Sequence, residues 1–353
     1  MANRHREIKR DFTGGLNTRD KDSMLHESES PDMMNVLTGK RGGFKPRPGT
    51  EVAFNNPVSL KRQDDGSFYP VTSIYEIVKE GGDRHFLAFS CDELKRAGTT
   101  EWQLIRDGFT MNTYFEFIYH PFENKILFVN GADGYWETDA TDANKIPYYS
   151  PQEYGDPGDP GYVDEAVAIG SSVMPDRAKY IAWFDNRVWL ANVQGHADRI
   201  YYNVNNILGS TIYNYFTTWS WMRASSIRGE PITAIKVFDN QLFVFTNTSI
   251  KIIRATDPIV MEGQEYIPPS YEMVDFSTVI GAVSQRSVQE VSGSLLFLSA
   301  DGVYLIGRGS PFKISGKIDP TLSEASPEHQ ARSCGGLWEG KYFLSIPKKQ
   351  GGE

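Results

Sequence analysis

The stretch KVFDNQLFVFTN, Lys236 to Asn247, decides the fold. It holds an aromatic or apolar residue, a two-residue turn, and then a short, strongly apolar run. Asp239 and Asn240 are residue types that accept positive φ, as the tight turn of a two-residue hairpin demands. The same phrase recurs along the chain. It reads HPFENKILFVNG at His120–Gly131, AWFDNRVWLAN at Ala182–Asn192, EVSGSLLFLS at Glu290–Ser299 and GLWEGKYFLS at Gly336–Ser345. A weaker copy, KEGGDRHFLAFS, spans Lys79–Ser90.

Measured from Gly82 through Asn124, Asn186, Asn240, Gly293 and Gly340, the spacings are 42, 62, 54, 53 and 47 residues. Those intervals match propeller blades of roughly 40 to 50 residues with insertions in some loops. A second turn and strand follow several copies. Examples are Ala132-Asp133-Gly134 before YWET, Asn247-Thr248 before SIKIIRA, and Ala300-Asp301-Gly302 before VYLIG. Each unit thus supplies at least three antiparallel strands, and its apolar faces need neighbouring units to cover them. The expectation is an all-β, propeller-like domain of about six blades over residues 51–353. The last copy ends KYFLSIP and KKQGGE, so its blade needs a further strand, either from Thr50–Phe54 or from a longer chain.

The first fifty residues read differently. DFTGGLNTRDKDSMLHESESPDMMNV and GKRGGFKPRPGT carry Gly, Asp, Ser and charge without a sustained period. This is an extended N-terminal arm, residues 1–50, anchored by Phe12, Leu16, Met33, Met34 and Val36. Its basic run Lys40, Arg41, Lys45 and Arg47 could touch nucleic acid, but on an acidic protein it better suits an acidic neighbouring subunit. Short helices are expected at Glu29–Val36, near Asp92–Arg96 and over Ser323–Arg332.

Composition narrows the function. The 353 residues include 20 Phe, 18 Tyr, 7 Trp, 32 Gly and 19 Pro, which suits short strands and tight turns. A net charge of −9 argues against gripping nucleic acid, which needs clustered Lys and Arg, but suits a wall past which DNA slides. The two cysteines, Cys91 and Cys334, read as free thiols rather than a disulfide framework or zinc site. The opening MANRHREIKRDF has no apolar run behind it, and no stretch approaches the roughly 20 apolar residues of a membrane span.

Catalytic motifs are missing. No phosphate loop, HExxH or GxSxG occurs, and His5, His26, His85, His120, His196 and His329 lack ligand spacing. Asp156, Asp159, Asp164 and Glu165 in GDPGDPGYVDEA offer carboxylates for a glycosidase or a calcium ion, and also suit a plain Gly/Pro-punctuated loop. SADGVYLIG does not meet the sialidase-type box. In IYNYFTTWSW, Ile212–Trp221, the residues Tyr213, Tyr215, Trp219 and Trp221 fit either a sugar-stacking platform or packing between blades and subunits.

Taken in order, several segments resemble a family of tailed-bacteriophage tail and neck structural proteins. They are FTGGLNTRDKDSMLHESESPDMMNV with GKRGGFKPRPGT, RIYYNVNNI at Arg199–Ile207, ITAIKVFDNQLFVFTNTSIKIIRA and VIGAVSQRSVQEVSGSLLFLSADGVYLI. The resemblance runs from about Asp11 to Ile346, and relatives include tail nozzle, hub and packaged-DNA-stabilisation proteins. It implies a non-enzymatic virion tail component made in the host cytoplasm, with no cofactor. It further implies a homo-oligomeric ring among other tail or neck proteins, with DNA passing through its bore. A tail-fibre adaptor or glycan reader at the tail periphery is the alternative.

Overall fold

A run such as Gln241–Phe245, apolar on both faces, is stable only inside a sheet covered on both sides. The computed structural model builds such sheets repeatedly. It describes residues 14–26, 28–33, 36–38, 44–46, 69–79, 81–99, 101–146, 175–203, 216, 220–225, 227, 229–256, 270–307 and 309–347.

The chain divides into two compact units, Phe54–Gln285 and Met1–Ala53 with Arg286–Glu353. In chain order, the second unit begins with short strands β1 (Gly15–Leu16), β2 (Glu29–Ser30), β3 (Val36–Thr38) and β4 (Phe44–Pro46). β1 and β2 pair in parallel, and β3 and β4 form an antiparallel hairpin.

The larger unit holds four antiparallel meanders of four strands each. Sheet I comprises β5 (Val71–Val78), β6 (Arg84–Ser90), β7 (Glu93–Ala97) and β8 (Trp102–Arg106). Sheet II comprises β9 (Glu116–His120), β10 (Lys125–Val129), β11 (Tyr135–Thr138) and β12 (Ala143–Lys145). Sheet III comprises β13 (Tyr180–Phe184), β14 (Arg187–Val193), β15 (His196–Tyr202) and β16 (Trp221–Arg223). Sheet IV comprises β17 (Ala234–Phe238), β18 (Gln241–Phe245), β19 (Ile250–Thr256) and β20 (Ser270–Ser277).

A fifth meander, sheet V, lies in the smaller unit: β21 (Gln289–Val291), β22 (Ser294–Ser299), β23 (Gly302–Ile306) and β24 (Phe312–Lys313). Two short helices follow, α1 (Asp319–Ser323) and α2 (Pro327–Ala331), and then a hairpin of β25 (Cys334–Trp338) and β26 (Lys341–Ser345). The fold is all-β, with five successive blades of β-propeller type. The sixth repeat copy yields a two-stranded hairpin rather than a blade, because no described strand pairs with the free edge of β26. The alternative completion by Thr50–Phe54 lies outside the described residues.

The second strand of each blade carries the core. Leu127, Phe128 and Val129 of β10, Trp189 and Leu190 of β14, Leu242 and Phe245 of β18, and Leu295 and Phe297 of β22 are buried. Each such side chain contributes about 1.5–3 kcal/mol through apolar area removed from water. Adjacent sheets share these cores. Ile77, Leu87 and Phe89 of sheet I pack with Phe117, Ile126 and Phe128 of sheet II. Leu127 and Val129 meet Ile181 and Leu190 of sheet III, whose opposite face joins Ile235, Leu242 and Val244 of sheet IV.

The turn chemistry holds at four of the six copies as two-residue connections. Asp185-Asn186, Asp239-Asn240, Ser292-Gly293 and Glu339-Gly340 all take positive φ and join directly paired flanking residues. Glu123-Asn124 does not. His120 pairs with Lys125, so the loop has four residues, with Asn124 alone at positive φ after Pro121, whose ring fixes a negative φ. Two expected helices are strands. Residues 93–96 fall in β7, and 29–36 contribute β2 and the start of β3, because cross-strand partners are available to satisfy both segments. Within the expected helix at 323–332 lies α2, while α1 precedes it and shares only Ser323.

Gly281 is required by close backbone approach, since a side-chain carbon there would collide with the carbonyl oxygen of Thr246 and the backbone of Asn247. Gly281→Ala should therefore cost about 1–3 kcal/mol in urea denaturation. Gly309→Ala, where the same carbon meets open space, should stay within about 0.5 kcal/mol.

Candidate functional site

The described part of the arm carries a polar cluster around Asn17 and Glu29. Asn17 follows β1 and is buried; its side-chain oxygen accepts from the backbone N–H groups of Arg19 (3.1 Å) and Asp20 (3.2 Å), closing a local turn. Its Nδ2 donates to Glu29 Oε2 at 2.8 Å and to Asp20 Oδ2 at 3.0 Å. Parallel pairing of β1 with β2 places Glu29 opposite Gly15, and the Asn17 N–H donates to the Ser30 carbonyl at 2.9 Å.

From this small platform the arm reaches the segment after β24. Lys317 Nζ lies 2.6 Å from Glu29 Oε1 and donates to the Gly14 carbonyl at 3.3 Å. The Thr18 N–H donates to the Lys317 carbonyl at 2.9 Å, and the Thr18 and Thr321 hydroxyls lie 3.1 Å apart. The network continues through the blade. Ser315 donates to Asp319 at 2.7 Å and accepts from the Val303 N–H at 2.9 Å, while Lys313 bridges Asp319 (2.9 Å) and Asp301 (3.2 Å). Hydrogen bonds from Lys317 and then Asn17 hold the Glu29 carboxyl down at about 2, from an ordinary 4.5. This is positioning chemistry, a latch between arm and blade. Among the described residues no group of three or more His, Cys, Asp or Glu side chains could hold a metal ion.

The sequence-derived candidates fare unevenly. Leu16 sits in β1 and Met33 follows β2, both half-buried. Lys45 falls within β4, and its side chain is outside the described set, as are Phe12, Met34, Lys40, Arg41 and Arg47. Tyr213, Tyr215 and Trp219 also lie outside the described residues, as do Asp156, Asp159, Asp164 and Glu165. Trp221 is placed. It stands in β16 opposite Tyr201, packs against the core shared by sheets II and III, and carries the Arg199 guanidinium 3.9 Å over its ring. One face of this indole is thus occupied by a cation from its own sheet.

Asn17, Glu29 and Lys317 were not among the sequence-derived anchors. The spacing NTRD, with Asn17 three residues before Asp20, is a turn signal that points to Asn17. Nothing in the local sequence links either arm residue to a lysine some 300 positions away.

No family model matches the chain. None of the curated proteins matches it either. Solved structures resemble it at low identity. Virginiamycin B lyase from Staphylococcus aureus is 14% identical, with 83% of this chain and 87% of that one covered and a TM-score of 0.44. The β-propeller domain of Cps50 (Swd1) from Myceliophteria thermophila is 13% identical, with 70% and 74% covered and a TM-score of 0.43. BamB from Moraxella catarrhalis is 10% identical, with 70% and 62% covered and a TM-score of 0.38. At these values no activity is taken from any of them. No helix among the described residues is long and apolar enough to cross a membrane.

The latch has a pH signature. Because the folded value of Glu29 lies below its ordinary 4.5, its contribution is present above pH 4.5 and is lost as pH falls toward about 2. Glu29→Gln should lower hydrogen-exchange protection of the Asn17 and Thr18 amides at neutral pH. The difference from the unmodified chain should vanish near pH 2, and equal protection at neutral pH would remove the latch role.

Proposed function

We propose that this chain is a structural, non-enzymatic component of a tailed-bacteriophage virion, assembled as a homo-oligomer about the tail axis. The observation that carries the reading is the ordered resemblance of its segments to tail and neck structural proteins from about Asp11 to Ile346. Two of those segments coincide with folded repeats: ITAIKVFDNQLFVFTNTSIKIIRA runs through β17, β18 and most of β19, and VIGAVSQRSVQEVSGSLLFLSADGVYLI ends in β21, β22 and β23.

Physical features support the same reading. Blades with shared apolar cores make stiff blocks, and stiffness is what a conduit wall needs. The net charge of −9 repels DNA phosphates and so lets a duplex pass without sticking. The arm, latched to the segment after β24, is held in place while its basic run meets an acidic neighbouring subunit or another tail protein. In this reading DNA is a passenger that is not bound by sequence, no cofactor is needed, and the site of action is the virion tail. The chain itself is made in the host cytoplasm.

The peripheral adaptor reading draws on the aromatic cluster, and the Arg199 contact on Trp221 does not favour it. Electron microscopy of virions carrying a gold-labelled tag on this chain tests the proposal. Label in a ring of copies on the tail axis is the expected result. Label on peripheral projections, or no label on the particle, would overturn it.

A further inference from the structure

Four described arginines are buried or half-buried: Arg96, Arg187, Arg199 and Arg286. Three of them donate to an oxygen of the chain: Arg96 to Gln103 Oε1 at 2.7 Å, Arg187 to the Asn203 carbonyl at 2.6 Å and Arg286 to the Arg332 carbonyl at 3.2 Å. Arg199, in β15, has no carbonyl, carboxylate or amide acceptor among the described residues, and its Nε is buried without a hydrogen bond. Its guanidinium lies 3.9 Å over the Trp221 ring, which covers one face and offers no acceptor at the edge. Arg106 shows the difference. Its guanidinium stands 5.1 Å over Trp136, and its Nη1 donates to the Ala143 carbonyl at 2.8 Å.

A second idle group lies beside Arg199. Arg199 and Tyr201 share one face of β15, with Arg223 and Trp221 opposite them on β16. Tyr201 is 4% exposed, and its hydroxyl is buried with no hydrogen-bond partner. Burial raises the pKa of this phenol and the neighbouring guanidinium acts against the rise, so the hydroxyl keeps its proton at neutral pH. Two buried polar groups left idle cost stability unless an acceptor reaches them. Arg199 as a whole is half-buried, so its guanidinium keeps an approach from solvent. The surrounding charge favours a monoanion. Asp198 pairs with Arg223 at 3.0 Å and also accepts from the Gly229 N–H at 3.4 Å. Burial, with Arg199 beside it, lowers the His196 pKa below its ordinary 6.5, so that ring is neutral at pH 7. Two arginines against one aspartate leave one positive charge, and it sits on Arg199.

We infer that Arg199 and Tyr201 form a binding site for a carboxylate group, with the guanidinium and the phenolic hydroxyl donating to its oxygens. A carboxylate is planar and presents two acceptor oxygens, which matches the edge of a guanidinium. Its single charge equals the local excess, whereas a phosphate dianion would leave one charge uncompensated close to Asp198. Trp221 gains a part besides core packing. Stacking fixes the plane of the guanidinium, so binding does not have to order a mobile arginine side chain. The carboxylate belongs either to a small free acid or to an acidic side chain of a second copy. The site stands independently of the virion reading, because its chemistry is the same whatever particle the chain joins.

Acetate is the probe, followed through the Arg199 Nε–H resonance in nitrogen–proton correlation spectra at constant ionic strength, with chloride as the balancing salt. The resonance is assigned by its loss in Arg199→Gln. Acetate should shift it saturably and chloride should not, and phosphate should bind less tightly than acetate. Tyr201→Phe should weaken acetate binding by about tenfold, as loss of a hydrogen bond to a charged group does. Without acetate this variant should keep the circular dichroism and melting temperature of the unmodified chain, because it removes a hydroxyl that has no partner and retains the ring. If a second copy supplies the carboxylate, sedimentation velocity shows an association that Arg199→Gln abolishes and excess acetate reverses. A monomeric chain whose resonance ignores acetate, a shift that chloride reproduces, or binding that Tyr201→Phe leaves at full strength would overturn the inference. So would an associating chain in which acetate moves neither the resonance nor the association.

Discussion

A strand that is apolar on both faces cannot be served by the sheet it belongs to. Hydrogen bonding satisfies its backbone, but its side chains project above and below the sheet and need other layers on both sides. The rest of the larger unit follows from that requirement. Trp189 and Leu190 are neighbours in β14, yet they belong to different cores, one shared with sheet IV and the other with sheet II. β10 and β14 are each therefore a joint between two layers, and changing one residue there disturbs one interface while leaving the other intact.

Much of this was legible in the sequence because turns and apolar runs are local. Asp239-Asn240 names its turn by the backbone angles it tolerates, and Leu242 to Phe245 names the strand by its lack of a polar face. The reading failed where the deciding partner is distant or where two local signals compete. Pro121 converts an apparent two-residue turn at Glu123-Asn124 into a four-residue loop. Glu93 to Ala97 has charged residues that suit a short helix, but it pairs with both β6 and β8. The last repeat has the wording of a blade and only two strands among the described residues, since a repeat phrase encodes a hairpin rather than the strands that complete it.

The candidate site was less legible than the fold for the same reason. Hydrophobicity pointed to Phe12, Leu16, Met33, Met34 and Val36 as anchors, of which Leu16, Met33 and Val36 are half-buried and Phe12 and Met34 lie outside the described residues. The fully engaged residues are Asn17 and Glu29, whose burial depends on hydrogen bonds and an ion pair with Lys317. A buried polar residue is tolerable only when its partners are present, and those partners come from the far end of the chain. Trp221 shows the converse. An aromatic residue that reads as a platform is partly packed into a core and capped by Arg199.

The polar character of the latch bears on how the protein is made. Asn17 and Glu29 emerge from the ribosome early, while Lys317 and Thr321 follow some 300 residues later. At ordinary elongation rates that interval is roughly 15 to 60 s. An apolar anchor would spend it exposed beside incomplete blades and would invite adhesion to them. An amide and a carboxylate are well hydrated during the same wait, and become a fastening only once the lysine arrives. The arm can thus remain inert through synthesis and seat itself as one of the last events of folding.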